Sequence, residues 1–163
     1  MGAIMTEIQR IVGLMKAAFE GGAWHGPAVL EVLQDVDYMM AESNYTVHGA
    51  HSIWELVAHL TATADIITRR IRGESAGLKD EEFWPPVPDA TEENWRGAIA
   101  QLKRKEEDLW LAVAAFPEDR LDDKLMAAGA SSAYVNFHGH VQHNLYHAGQ
   151  IALLKKGYSS IPF

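Results

Sequence analysis

Four stretches of the chain repeat apolar residues at intervals of three and four positions, a period that restricts them to amphipathic α-helices. The first predicted helix runs from about Thr6 to Glu20, and the second from Ser52 to about Arg72. The third runs from about Thr91 to Pro117, and the fourth from about Tyr134 to Lys156. Little strand is predicted elsewhere. The fold class is therefore all-α, and four such helices predict a four-helix bundle, in which sites are built from side chains on facing helices.

The connections between these helices carry fewer signals. Ser52 and Glu55 have the spacing of a capping box at the start of the second helix. Pro27 suits the first turn of a short helical segment that follows it. From Gly73 to Ala90 we predict a long loop between the second and third helices, because its prolines disfavour helix. Since no internal linker stands out, residues 1–163 are predicted to form a single domain.

One charged residue interrupts the apolar stripe of the third helix. Glu106 lies among stripe positions that are otherwise apolar, namely Trp95, Ile99, Leu102, Leu109, Val113 and Phe116. Charged side chains are seldom fully buried, so we favour a carboxylate that is partly exposed at the helix seam. The alternative is a carboxylate that reaches a polar centre inside the bundle.

Composition excludes several classes of function. The chain has 14 Lys and Arg against 22 Asp and Glu, a net charge of −8, which disfavours a nucleic-acid partner. It has no apolar run of membrane-spanning length and no pattern of a signal peptide, so we expect no membrane partner and a cytoplasmic location. The absence of cysteine excludes disulfides, thiolate ligands and a cysteine nucleophile. A small-molecule substrate is the expected partner.

Two histidines on the fourth helix form half of a metal site. His143 and His147 are four residues apart, so both imidazoles project from one helix face. That face also holds apolar residues and is therefore expected to point inward, where neutral imidazoles need partners. The best third donor is His59 on the second helix, which is amphipathic and can face the fourth. Together they predict a three-histidine centre with an open coordination position.

Each histidine also has a plainer interpretation. A pair of histidines four apart can occur by chance on an exposed face, and a lone His59 would more readily be a core histidine. His140, one turn before His143, is a candidate fourth ligand, catalytic base or hydrogen-bond partner behind the ligands, and we favour the last. His25, before the short helical segment, is a second candidate for proton transfer at a pocket mouth. Asn144 occupies the position where zinc proteases carry their catalytic glutamate, which disfavours that mechanism.

Two segments carry a family resemblance. His51–Leu60, with the sequence HSIWELVAHL, and His143–Leu154, with the sequence HNLYHAGQIALL, resemble the DinB-like (DNA-damage-inducible) superfamily of metalloproteins. The resemblance extends over the whole chain. It implies an up-down-down-up four-helix bundle with metal ligands at His59, His143 and His147, zinc or nickel as the metal, and a homodimer.

The resemblance leaves the reaction open. The superfamily includes thiol-dependent S-transferases and a mycothiol-dependent maleylpyruvate isomerase, so we predict a metal-dependent enzyme that activates a small thiol or water. Without cysteine, the chain would need a low-molecular-weight thiol from solution. A divalent metal lowers the pKa of such a ligand towards neutrality. The alternatives are a metal-dependent hydrolase and a non-catalytic bundle with a structural metal, in which His140 would close the ligand shell.

Overall fold

The computed structural model describes residues 4–43, 49–126 and 131–160. Within these ranges the chain forms seven α-helices, a 3-10 turn at Glu118–Arg120 and no strand, which confirms the all-α prediction. The helices are α1 (Glu7–Glu20), α2 (Val29–Leu33), α3 (Tyr38–Glu42), α4 (Ile53–Ile71), α5 (Asp80–Phe83), α6 (Glu92–Ala114) and α7 (Ala133–Tyr158). None of the helices in the described ranges is both long and apolar enough to cross a membrane.

The four long helices α1, α4, α6 and α7 lie where the apolar period predicted them, within two or three residues at each end. Their first turns are closed by side chains. At the start of α4, the Ser52 hydroxyl accepts from the Glu55 amide at 3.2 Å, and the Glu55 carboxylate accepts from the Ser52 amide at 2.8 Å. This confirms the predicted capping box, which satisfies two amides that the helix itself cannot pair.

Two short helices were not predicted. Asp37 caps α3 by accepting from the Met40 amide at 2.8 Å, a local signal that the apolar period does not contain. Helix α5 lies inside the segment predicted as loop, so excluding helix there was wrong at Asp80–Phe83. The reason is positional, since the prolines of this segment begin only at Pro85, after α5 has ended.

The long helices pack around one apolar core. Helix α4 packs mainly against α6 and also against α7, while α7 packs against α1 and α2. The largest fully buried apolar side chains come from all four long helices: Phe19, Ile11, Met15, Trp54, Ile53, Leu60, Leu102, Leu109, Phe137 and Ile151. Since α4 and α7 share this core, the few polar residues on their inner faces lie inside the molecule, where they need partners.

Candidate metal centre

Three histidine side chains converge between α4 and α7. The Nε2 atom of His143 lies 2.9 Å from Nε2 of His59 and 3.1 Å from Nε2 of His147. One ligand atom from each residue lies within 4.8 Å of the others. A tetrahedral zinc ion with Zn–N distances of about 2.0 Å needs nitrogens roughly 3.3 Å apart. The three histidines, which we call the triad, could therefore hold one metal ion.

The outer nitrogens of two triad rings are fixed by hydrogen bonds. His59 Nδ1–H donates to the carbonyl oxygen of Phe83 at 2.7 Å, and His147 Nδ1–H donates to Gln150 Oε1 at 2.6 Å. Both acceptors are oxygens without a proton, so each neutral ring carries its hydrogen on Nδ1 and its lone pair on Nε2.

Those two lone pairs face the same nitrogen, Nε2 of His143. A proton on His143 Nε2 can be donated well to only one of the two, so protein groups alone do not satisfy the cluster. The buried Nδ1 of His143 has no hydrogen-bond partner in the described part of the chain, so the ring makes polar contacts only through Nε2. A cation shared by the three Nε2 atoms satisfies all of them, so these residues fit a metal ion.

Burial holds the triad in the form that coordinates metal. Burial, together with the smaller effects of the neighbouring His147, His59 and His140, lowers the pKa of His143 to about 3. Burial also lowers the pKa of His59 and of His147, against the opposing effects of the Phe83 carbonyl and of Gln150. All three rings are therefore neutral near pH 7, and neutral imidazole is the ligand form.

The Phe83 carbonyl is brought to His59 by the segment from Ala76 to Trp84, which we call the strap. Arg70 on α4 holds its start, donating from Nε to the Ala76 carbonyl at 3.0 Å and from a terminal nitrogen to the Gly77 carbonyl at 3.2 Å. The Glu82 carboxylate accepts from the amides of Gly77, at 3.0 Å, and of the two residues that follow it. These amides lower the pKa of Glu82. The strap is thus tied at its start to the last turn of α4, and its Phe83 carbonyl meets His59 further along the same helix.

Close packing makes glycine necessary at position 77. Its φ is +67°, in the left-handed region, and an added Cβ would lie 2.6 Å from an Arg70 nitrogen and 2.7 Å from the Phe83 ring. A side chain there would displace the strap from α4, and with it the carbonyl that orients His59.

Trp84 ends the strap as an aromatic wall of the site. Its ring stacks on His59 with centroids 3.9 Å apart and 7° between planes, and on His51 with centroids 3.8 Å apart and 14° between planes. The tryptophan therefore lies between two imidazoles. It limits rotation of His59 and shields one side of the triad from water.

A cavity of about 490 Å³ opens beside His147, and we call it the triad cavity. Its lining residues come from α4, α7, the strap and the segment before α4: Gly49, Ala50, His51, Leu56, Trp84, Tyr146, His147, Gln150, Leu153 and Leu154. Volumes of this size are typical of small-molecule sites. Because a triad histidine forms part of its wall, the cavity gives a small molecule access to the candidate metal centre.

Glu106 and His140 form a separate buried pair. The Glu106 carboxylate, with no exposed surface, accepts from His140 Nε2–H at 2.9 and 3.1 Å and from the Asn144 amide at 3.1 Å. The preference for a partly exposed Glu106 was wrong, and the alternative of a buried carboxylate at a polar centre is correct. Its partners on α7 compensate for the loss of water, which the stripe on α6 alone could not indicate.

The two candidates for proton transfer lie away from the triad. His140 is 1% exposed and its ring is 6.5 Å from that of His143, so it lies behind the ligands and outside the lining of the triad cavity. His25 is exposed in the turn before α2, outside both the triad and the lining of its cavity. Asn144, at the position of the protease glutamate, is buried against Glu106.

Sequence reasoning missed three residues of the site. It assigned Phe83 and Trp84 only to a loop, and it gave Gln150 no role. The role of Phe83 could not be detected in the sequence, because any residue type supplies a backbone carbonyl. Trp84 could have been detected, because it is a tryptophan that precedes two prolines in a predicted loop. A large aromatic residue in a loop needs a partner to cover it.

The family model described as DinB superfamily matches residues 24–151, a range that contains the whole triad, the strap and Glu106. No curated protein and no solved structure matches the chain.

Proposed function

Since the chain belongs to the DinB superfamily, which is metal-binding, we propose that it holds one divalent transition metal ion through His59, His143 and His147. One observation carries the proposal: three Nε2 atoms converge within 4.8 Å, while the outer nitrogens of two rings are already hydrogen-bonded to oxygen. Zinc is the first choice for its availability, and nickel is the second, since imidazole suits both metals.

We further propose that the protein is an enzyme that activates a small thiol or water, in the manner of a thiol S-transferase. A divalent metal bound at the triad would supply a Lewis acid that favours deprotonation of such a molecule at neutral pH. The chain's own residues keep the three rings neutral, Phe83 and Gln150 orient two of them, and Trp84 excludes water from one side. Without cysteine, the thiol must come from solution through the triad cavity.

The alternatives differ in the fourth coordination position. A structural metal in a non-catalytic bundle needs a closed shell of four protein ligands, yet the group of possible ligands found in the described ranges has three members. The cavity beside His147 also favours access over closure. A hydrolase would use the same open position for water, and substrate screening with and without added thiol separates these two reactions.

Metal analysis of the untagged protein and of alanine variants tests the ligand assignment. We expect about one metal ion per chain in the wild type. His59→Ala and His143→Ala should each lose most of it. His25→Ala is the matched control, because this exposed histidine lies outside the triad and should leave metal content unchanged. Full metal content in both triad variants would reject the assignment.

X-ray absorption of the metal-loaded protein tests whether the centre is open. We expect three imidazole nitrogens and at least one light ligand from solvent, and a small thiol should replace that ligand with sulfur. A shell of four protein nitrogens, with no change on adding thiol, would instead favour the structural metal.

Three further properties are proposals. The up-down-down-up order of the four long helices and a homodimer rest on family membership. A cytoplasmic location rests on the sequence, in which no signal-peptide pattern or membrane-spanning run was found. Sedimentation of the metal-loaded protein at two concentrations tests the dimer, and fractionation of cells tests the location.

A further inference from the structure

The lining of the triad cavity differs from the linings of the two larger cavities, of about 830 and 670 Å³, in the kind of residue it contains. None of its ten lining residues is Asp, Glu, Lys or Arg. A cavity of about 830 Å³ between α4 and α6 is lined by several charged residues, among them Asp65, Arg69, Glu82 and Lys105. The chain has 36 residues of these four types, from 14 Lys and Arg plus 22 Asp and Glu. A lining that contains none of them, and only the imidazoles of His51 and His147, distinguishes the triad cavity from the two larger ones.

Most of the lining is apolar. Leu56, Leu153 and Leu154 contribute aliphatic surface, and Trp84 and Tyr146 contribute rings. Leu153 is 69% exposed and Tyr146 is 65% exposed, so both leave apolar surface in water that a ligand in the cavity would cover. An ionised ligand would lose water there without meeting an Asp, Glu, Lys or Arg of the lining, and the imidazole of His51 already faces the Glu55 carboxylate at 3.4 Å.

One polar group of the lining has unused hydrogen-bond donors. Gln150 accepts from His147 Nδ1–H through Oε1. Its amide N–H₂ donates to none of the residues that the structure describes. A ligand with a carbonyl oxygen can accept from this group while its apolar part contacts the rings and leucines. The same side chain would then hold a triad ring and orient the ligand.

From these observations we propose that the triad cavity is the substrate site, and that its walls select the part of the substrate that is uncharged and apolar and carries a carbonyl-type acceptor. The assignment of the cavity as a substrate site rests on the proposed function. Binding itself needs only the cavity walls, so it can be measured without metal, separately from metal binding by the triad.

The test uses the full-length protein after removal of metal, so that the charge of the ion does not attract an anionic competitor. N-phenyl-1-naphthylamine is the uncharged fluorescent probe. We expect saturable binding of the probe and its displacement by 2-acetylnaphthalene, an uncharged ketone. The anion 2-naphthoate has the same ring system and should need a concentration at least about tenfold higher, because its charge is not compensated in the cavity. No saturable probe binding, or equal or tighter binding of the carboxylate, would overturn the proposal.

Variants locate the bound probe. Leu153→Asp places a charge in the lining and should weaken probe binding at least about tenfold. Leu14→Asp is the matched control: a leucine 49% exposed on helix α1 and outside this lining, it should bind the probe as the wild type does. Tyr146→Ala, also at an exposed lining position, should weaken binding independently. If both lining variants bind the probe within twofold of the wild type, it occupies another site and the proposal fails. Normal metal content in the same preparations would show that such a failure leaves the triad assignment intact.

Discussion

Replacing Glu106 tests the buried pair on α6 and α7. In Glu106→Gln, an amide N–H₂ takes the place of one carboxylate oxygen, so a donor lies about 3.1 Å from His140 Nε2, which is itself a donor. The other oxygen keeps its position but loses its charge. Leaving one buried donor unpaired costs ~1–3 kcal/mol. Glu106→Ala removes every acceptor and leaves the His140 Nε2–H and the Asn144 amide unpaired, so it should cost ~2–6 kcal/mol, at ~1–3 kcal/mol for each buried donor.

Urea unfolding of metal-free protein at neutral pH measures both changes as shifts in midpoint at constant slope. Glu107→Gln is the matched control, since it makes the same chemical change on the next residue of α6, which is exposed, and should stay within about 0.5 kcal/mol of the wild type. Our reasoning would be refuted if Glu106→Gln were as stable as Glu107→Gln, because the hydrogen bonds to His140 and Asn144 would then contribute nothing.

Three further predictions concern the triad. Acidification should weaken metal binding and destabilise the metal-free protein, because folding lowers the pKa of His143 to about 3 while an unfolded histidine takes up its proton near pH ~6.5. The stability is present above pH ~6.5 and is lost as the pH falls towards 3, so equal urea midpoints at pH 7 and pH 5 would contradict it. Gly77→Ala should destabilise the protein by ~1–3 kcal/mol and weaken metal binding through His59, whereas Gly73→Ala, which also has positive φ but open space, should change metal affinity little. His140→Ala should leave metal content nearly unchanged in elemental analysis, because its ring lies outside the triad; an empty site would instead make it a ligand.

The sequence was sufficient for features that depend on local periodicity. A period of three to four residues predicted the four long helices, and the same period put His143 and His147 on one face of α7. The three residues of the triad could be predicted together from the sequence, because each lies on a long helix whose inner face is marked by apolar neighbours. Short helices such as α3 were missed because a single turn contains too few residues to show a period.

Tertiary packing decided how the histidines are held and what surrounds them. The oxygen that orients His59 belongs to Phe83, 24 residues away, and it is a backbone atom that any residue type would supply. The partner that permits burial of Glu106 is 34 residues away on another helix, where the stripe on α6 cannot indicate it. Helix faces follow from neighbours along the chain, whereas a buried carboxylate, an oriented imidazole or an uncharged cavity depends on which distant segments pack together.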